Sequence, residues 1–339
     1  MTTAMKTKLI CFLLVAVFIT AAGCTQKQPT QRLRDDLMGT VMSITAYSAN
    51  ASAAVDMAYS RIGDIHRVCD ANDPASLLSA INNGDSATDN PDFIAISEIA
   101  LAVEERSGGA FNPMMGALVK LWGISLGNTI CPSDTEVTTA VEQIKLDRAT
   151  PRANRIIPAR QGALLDFGAV AKGYACDEAV AVLRENGIKS AVLDLGGNVY
   201  AVGTRPDGKP WKIGLRSPVL GERGAVAALL VADMSVVTSG SYERYFEQDG
   251  RLYHHILDPQ TGYPAEGGLL SATVLHQSSG IADAYSTACF VLGLEKGAEL
   301  VRETPGMAAV FITEDLKVYT VGELSIEIID ERFIAGGAL

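Results

Sequence analysis

The chain has 339 residues, 48% of them hydrophobic and 20% charged, with a mean hydropathy of +0.18. That is enough apolar material for one large core or two modest ones, which excludes wholesale disorder. Lysine and arginine number 28 against 39 aspartates and glutamates, a net charge of −11, so the surface repels polyanions and nucleic acid is not an expected partner. The apolar excess is uneven: residues 9–22 are almost unbroken hydrophobe, and no later stretch approaches the roughly 18 apolar residues of a membrane-spanning helix.

Lys6 and Lys8 precede that stretch and Ala21-Ala22-Gly23-Cys24 follows it, the order of a secretory signal. A cysteine directly after Ala-Ala-Gly resembles a bacterial lipobox. The resemblance implies that residues 1–23 are a removable signal and that Cys24 is lipidated. It also implies that the protein is anchored to a membrane of the bacterial cell envelope, facing the periplasm. An ordinary cleaved signal and an uncleaved anchor helix are the alternatives. Losing residues 1–23 removes two lysines and no acids, which takes the charge from −11 to −13. Residues 24–36 are polar and read as a tether, leaving 37–339 as the folded domain. Cys69, Cys131, Cys176 and Cys289 show no CxxC or Cys/His metal spacing and read as free or structural thiols.

A strand is expected from Met38 to Tyr47, then a helix over 51–68. Further helices are expected at 91–106, 134–144, 171–186 and 280–303, the third of these ending at the cap pair Asn186-Gly187. Strand patterns occupy 163–167, 190–203, 211–215, 224–238, 252–257, 270–276, 308–313 and 317–327. Helices and strands intermingle without strict βαβ alternation, so the fold class is α+β with mixed sheets, in one unit or two intimately packed lobes.

Four segments carry residues suited to chemistry. Asp166 to Asp177 leads through Gly168 and Ala169 into a helix start bearing Lys172, where backbone N–H groups and the lysine suit a phosphate. An ordinary turn with a solvated lysine explains the same residues. Asp194-Leu195-Gly196-Gly197-Asn198 is either a second close-approach turn or a glycine bend in a hairpin. His254 and His255 are two of the four histidines; on a strand they point to opposite faces, so at most one faces a given cleft, where it suits a general base better than a metal ligand. Asp283 and Thr287, four apart on a helix, offer two oxygens to one Mg²⁺, or else Asp283 sits near a helix start and Thr287 bonds back to its own helix.

Taken together, the segments resemble the ApbE family of flavin transferases. The pieces occur in that family's order: MGT at 38–40, DPASLLSAIN at 73–82, SGGAFNPMMGALVKLWG at 107–123, LDFGAVAKGYACD at 165–177, LDLGGN at 193–198, TSGSYERYF at 238–246, HHILDPQTGYP at 254–264 and ADAYSTA at 282–288. The resemblance implies a T-fold-like architecture with an FAD cleft between two lobes. It implies Mg²⁺-dependent transfer of FMN from FAD to a Thr or Ser hydroxyl of an acceptor flavoprotein subunit, releasing AMP. Acceptors of that kind are subunits of Rnf-type or sodium-pumping quinone reductase complexes. By the same resemblance Met38, Ala110, Phe111, Asn112, Asp166, Lys172 and Ile256 match FAD contacts. Ala169, Asp283 and Thr287 match the metal ligands, and His255 matches the base.

Two positions depart from the family pattern. Asn72 stands where many members carry a tyrosine against the flavin nucleotide; an amide offers less stacking surface and admits a competing reading, Mg²⁺-dependent hydrolysis of FAD to FMN and AMP. Asn112-Pro113-Met114 stands where Asp-Pro-Thr is usual. A non-catalytic, FAD-binding lipoprotein is the third reading.

Overall fold

The computed structural model describes residues 29–84, 88–146, 150–152, 155–157 and 164–339. The expected signal and Cys24 therefore lie outside the described residues.

In chain order the elements are β1 (Thr30–Leu37), β2 (Thr40–Ala46), α1 (Ala51–Cys69), α2 (Leu77–Asn82), α3 (Pro91–Arg106), α4 (Gly116–Trp122), α5 (Asp134–Leu146), β3 (Thr150–Arg152) and β4 (Arg155–Ile157). They continue with α6 (Ala171–Glu185), β5 (Ser190–Leu195), β6 (Asn198–Gly203), β7 (Trp211–Arg216), β8 (Ala225–Val231), β9 (Met234–Gly240), β10 (Tyr245–Gln248) and β11 (Arg251–His254). The chain ends with β12 (Leu269–His276), α7 (Ser279–Arg302), β13 (Ala308–Thr313), β14 (Lys317–Val321), β15 (Ile326–Ile328) and β16 (Ile334–Ala338).

A nine-stranded sheet in the order β1-β2-β5-β6-β9-β12-β13-β14-β16 forms the middle layer, antiparallel except for the β14/β16 pair. Its central strands are buried on both faces, and the two-residue period sorts their side chains. Val237, Val274, Ala309 and Phe311 join the core under α1, α3, α6 and α7, whereas Val236, Leu275, Val310 and Ile312 meet the small sheet β15-β8-β7 on the other side. This is an α+β fold with mixed sheets, as the irregular alternation of elements implied.

The helices follow local rules. On α1 the buried residues Ala51, Ala54, Val55, Ala58, Tyr59, Ile62 and Ile65 recur at three- and four-residue spacing, one apolar stripe facing the sheet. The α3 start has Pro91 in its first turn and an Asn90 side chain accepting the Phe93 N–H at 3.0 Å. Gly187, with φ of 76°, closes α6 where the Asn-Gly pair predicted a cap. A satellite lobe made of α4, α5, the β10/β11 hairpin and Leu257 packs around Trp122, whose indole N–H donates to the Gly262 carbonyl at 2.8 Å.

Several expectations are corrected. Residues 164–167 form no strand: the Leu165 and Asp166 N–H groups donate to Asn82 Oδ1 and the Pro113 carbonyl, so partners other than a neighbouring strand hold this segment. The run at 252–257 ends as a strand at His254, which puts His255 in the following turn. The run at 190–203 folds back on itself as the β5/β6 pair, whereas 224–238 and 317–327 each divide between the two sheets. The expected tether also shortens, because β1 begins at Thr30 and pairs with β2 in spite of its exposed, polar sequence. Backbone pairing to an adjacent strand supplies the order that its side chains do not.

Candidate active site

A cleft of about 380 Å³ opens between the main core and the satellite lobe, within the size range of small-molecule sites. Its floor comes from the starts of α6 and α7, and its walls from residues 110–112, the β5/β6 turn, the end of β9 and the loop after β11.

The α6/α7 crossing is locked reciprocally. Asp177 on α6 caps α7, accepting the Ser279 N–H at 2.6 Å, the Gly280 N–H at 2.9 Å and the Ser278 hydroxyl at 2.7 Å. In return Asp283 on α7 accepts the Gly173 N–H at 2.9 Å. Gly173 has no side chain to hold the helices apart, since a β-carbon there would overlap the Ser279 carbonyl oxygen. The crossing buries Asp283 and brings its carboxylate within 3.6 Å of the Lys172 ammonium. Lys172 also donates to the Gly168 carbonyl at 3.2 Å. The helix start is less free for a phosphate than its sequence implied, because the Ala171 N–H is taken by the Phe167 carbonyl and the Gly173 N–H by Asp283.

The two histidines divide their work. His254 is buried edge-on against Phe290, with Nε2 3.1 Å from the Ala265 carbonyl and Nδ1 accepting the Ile256 N–H at 3.3 Å. Both ring nitrogens are used, and burial lowers its pKa to about 4. His255 faces the cleft, with Nδ1 3.2 Å from the Arg244 carbonyl. A carbonyl only accepts, so Nδ1 carries the proton and Nε2 is the basic nitrogen. Burial, then the Arg244 guanidinium, lowers the pKa of His255 to about 3, which keeps the ring neutral at neutral pH.

The oxygen donors suit a hard cation. Ala169, Asp283 and Thr287 all line the cleft, and the Thr287 hydroxyl lies 3.3 Å from that of Ser239, not bonded back to its own helix. Among the described residues no group of three or more His, Cys, Asp or Glu side chains gathers for a metal. A Mg²⁺ here would have one carboxylate, one hydroxyl and a carbonyl available, and would take its remaining ligands from water or substrate, as Mg²⁺ ordinarily does. The wall also holds an unpaired donor, the buried Asn198 Nδ2, as a site built around a ligand would.

The expected nucleotide contacts Ala110, Phe111, Asn112, Asp166, Lys172 and Ile256 all line the cleft. Asn112 Oδ1 is spent on the Met114 N–H at 2.8 Å, and Asp166, its pKa raised by burial, accepts the Gly168 N–H at 2.9 Å. Two expected contacts are not on the wall. Met38 packs half-buried against the main core at a left-handed turn (φ 50°), and its neighbours Gly39 and Thr40 reach the cleft instead. Asn72 is exposed in the turn between α1 and α2. Arg244, which only its place within the TSGSYERYF run marks in the sequence, also lines the cleft, its guanidinium bonded to Ser125 and Gly39 on the same wall.

With the site in place, likeness to known proteins is informative. The ApbE family model matches residues 38–311. An FAD:protein FMN transferase of Treponema pallidum is 36% identical over 322 residues, 88% of this chain and 89% of that protein. One of Klebsiella pneumoniae is 33% identical, over 82% of this chain and 88% of that protein. The crystal structure of the ApbE protein from Thermotoga maritima superposes with a TM-score of 0.76 at 29% identity, covering 89% of this chain and 97% of the other. That of the Pseudomonas stutzeri flavinyl transferase ApbE gives 0.73 at 27% identity, with coverage of 86% and 93%. The matched span includes every residue on the cleft wall, and this chain belongs to the ApbE family.

Proposed function

We propose that this chain is an FAD:protein FMN transferase. It moves FMN from FAD to a Thr or Ser hydroxyl of an acceptor flavoprotein subunit and releases AMP. The observation that carries the proposal is His255: a neutral imidazole, oriented through Nδ1 by the Arg244 carbonyl, in the same cleft as Lys172, Asp283 and Thr287. His255 Nε2 takes the proton of the acceptor hydroxyl as that oxygen attacks the FMN-side phosphorus. The bond from this phosphorus to the bridging oxygen breaks, and AMP leaves with the electron pair. Phe111 and Ile256 present apolar surface to the nucleotide. A Mg²⁺ held by Asp283, Thr287 and the Ala169 carbonyl would supply charge neutralisation on the phosphates.

Lipidation at Cys24 would hold the enzyme at the outer face of a membrane, where Rnf-type or sodium-pumping quinone reductase subunits are the proposed acceptors. Among the described residues no helix is long and apolar enough to cross a membrane. The test is to incubate the protein with FAD, Mg²⁺ and such a subunit, then look for flavin fluorescence on the subunit in a denaturing gel. The band should depend on His255 and on the acceptor hydroxyl, and its absence from the wild-type reaction would count against the proposal.

Hydrolysis of FAD is the second reading. It is favoured by Asn72, which is exposed and brings no ring to the cleft. Release of AMP in the absence of acceptor would establish it. Intact FAD after prolonged incubation without acceptor would dismiss it, and full turnover by His255→Ala would leave binding alone as the role of that site.

A further inference from the structure

We propose that Arg244 is the side chain that captures the phosphates of the flavin nucleotide, a task the sequence assigns to Lys172. The inference rests on FAD as the substrate. Five charged side chains line the cleft: Asp166, Lys172, Glu243, Arg244 and Asp283. Four already have an internal charge or amide partner. Lys172 and Asp283 face each other at 3.6 Å, Glu243 pairs with Arg216 at 3.3 Å, and Asp166 accepts the Gly168 N–H.

Arg244 differs. Its guanidinium donates to the Ser125 hydroxyl and the Gly39 carbonyl, both at 3.3 Å and both neutral, and no ion pair to a carboxylate is found for it among the described residues. A half-buried cation so placed keeps most of its electrostatic attraction for an anion, and its planar fork matches two phosphate oxygens at once. Lys172 would first have to give up Asp283.

The position of Arg244 in the chain adds a second argument. Its main-chain carbonyl fixes His255, so one residue sets the tautomer of the base through its backbone and presents a cation to the cleft through its side chain. A phosphate held on the guanidinium is thereby delivered to the wall that carries His255. The pyrophosphate of FAD is dianionic and the lining carries three carboxylates against two cations, so removing Arg244 would leave that dianion facing an acidic cavity.

A purely mechanical role for Arg244, as a strut between Ser125 and Gly39, makes a different prediction. The experiment compares equilibrium binding of FAD and of riboflavin, which has no phosphate, by flavin fluorescence in wild type, Arg244→Gln and Arg244→Lys. Circular dichroism confirms that each variant is folded. Arg244→Gln should weaken FAD binding by about tenfold to a hundredfold, the worth of a charge-assisted hydrogen-bonded pair, and leave riboflavin within about twofold. Arg244→Lys should fall between, and the salt dependence of FAD binding should flatten in Arg244→Gln. Equal losses for FAD and riboflavin would establish the strut and overturn the proposal, as would unchanged FAD binding in Arg244→Gln. Failure of the wild-type protein to bind FAD at all would instead remove the transferase reading, and this inference with it.

Discussion

Replacing Gly173 with alanine tests whether the α6/α7 crossing sets the chemistry. A methyl group at 173 would overlap the Ser279 carbonyl oxygen, lying 2.6 Å from the Ser279 carbonyl carbon and 2.7 Å from Asp283 Cβ. Carbon atoms settle at about 3.5–4.0 Å, so the helices must part by on the order of 1 Å. Two energies then oppose each other. Alanine is favoured over glycine inside a helix by about 1 kcal/mol. Overpacking costs about 1–3 kcal/mol. The net loss of stability is therefore only about 0–2 kcal/mol. The same displacement stretches the bond from the Gly173 N–H to Asp283 and carries Asp283 and Thr287 away from Lys172. A misplacement of on the order of 1 Å in a catalytic constellation costs on the order of a hundredfold in rate. Gly173→Ala should thus lose no more than about 2 kcal/mol in urea unfolding and stay folded, while kcat for AMP release with acceptor falls about a hundredfold. Wild-type kcat in the folded variant would refute the reasoning, because it would show that the crossing relaxes without moving the site.

Asp177→Asn removes the charge from the cap of α7 and leaves at least one of its three donors without a partner. Charge-assisted bonds here are worth about 1.5–3 kcal/mol each, offset by the burial that raises the Asp177 pKa, so urea unfolding should show a loss of about 2 kcal/mol; no loss would mean that the cap is satisfied otherwise. His254 is buried with a pKa of about 4 against an ordinary 6.5, so the unfolded chain binds more protons between those values. Its contribution is complete above about pH 6.5 and is lost as pH falls toward 4. The stability advantage of wild type over His254→Gln should accordingly shrink by about 3 kcal/mol between pH 7 and pH 4, and an advantage that grew on acidification would contradict the neutral, fully bonded ring. For His255, with its pKa lowered to about 3, the acid limb of the transfer rate should lie below pH 5, and a limb near 6.5 would show that the ring is solvated during turnover.

Much of this arrangement is legible in the sequence because its signals are local. The apolar stripe of α1, the cap before α3 and the Asn186-Gly187 stop all act within a few residues, and those elements stand where the pattern placed them. Elements held by distant partners are less visible. The segment 164–167 depends on Asn82 and Pro113, and β1 depends on β2. The histidine pair shows both cases: adjacency on a strand allows at most one ring to face the cleft, but the assignment of His254 to Ala265 and His255 to Arg244 comes from a turn that strand alternation does not describe.

The sequence by itself determined the α+β class and the positions of the five longer helices, though not of α2 and α4, because periodicity and caps are written in short runs, and its resemblance to the ApbE family pointed to cleft residues running from Ala110 to Thr287. Only the tertiary structure decided how charge is distributed. Lys172 lies beside Asp283 because α6 and α7 cross at a glycine, and Arg244 bonds to Ser125 and Gly39 from distant parts of the chain, with no carboxylate paired to it among the described residues. Ion pairing depends on distances of a few ångströms between segments a hundred or more residues apart, and no linear pattern encodes those distances.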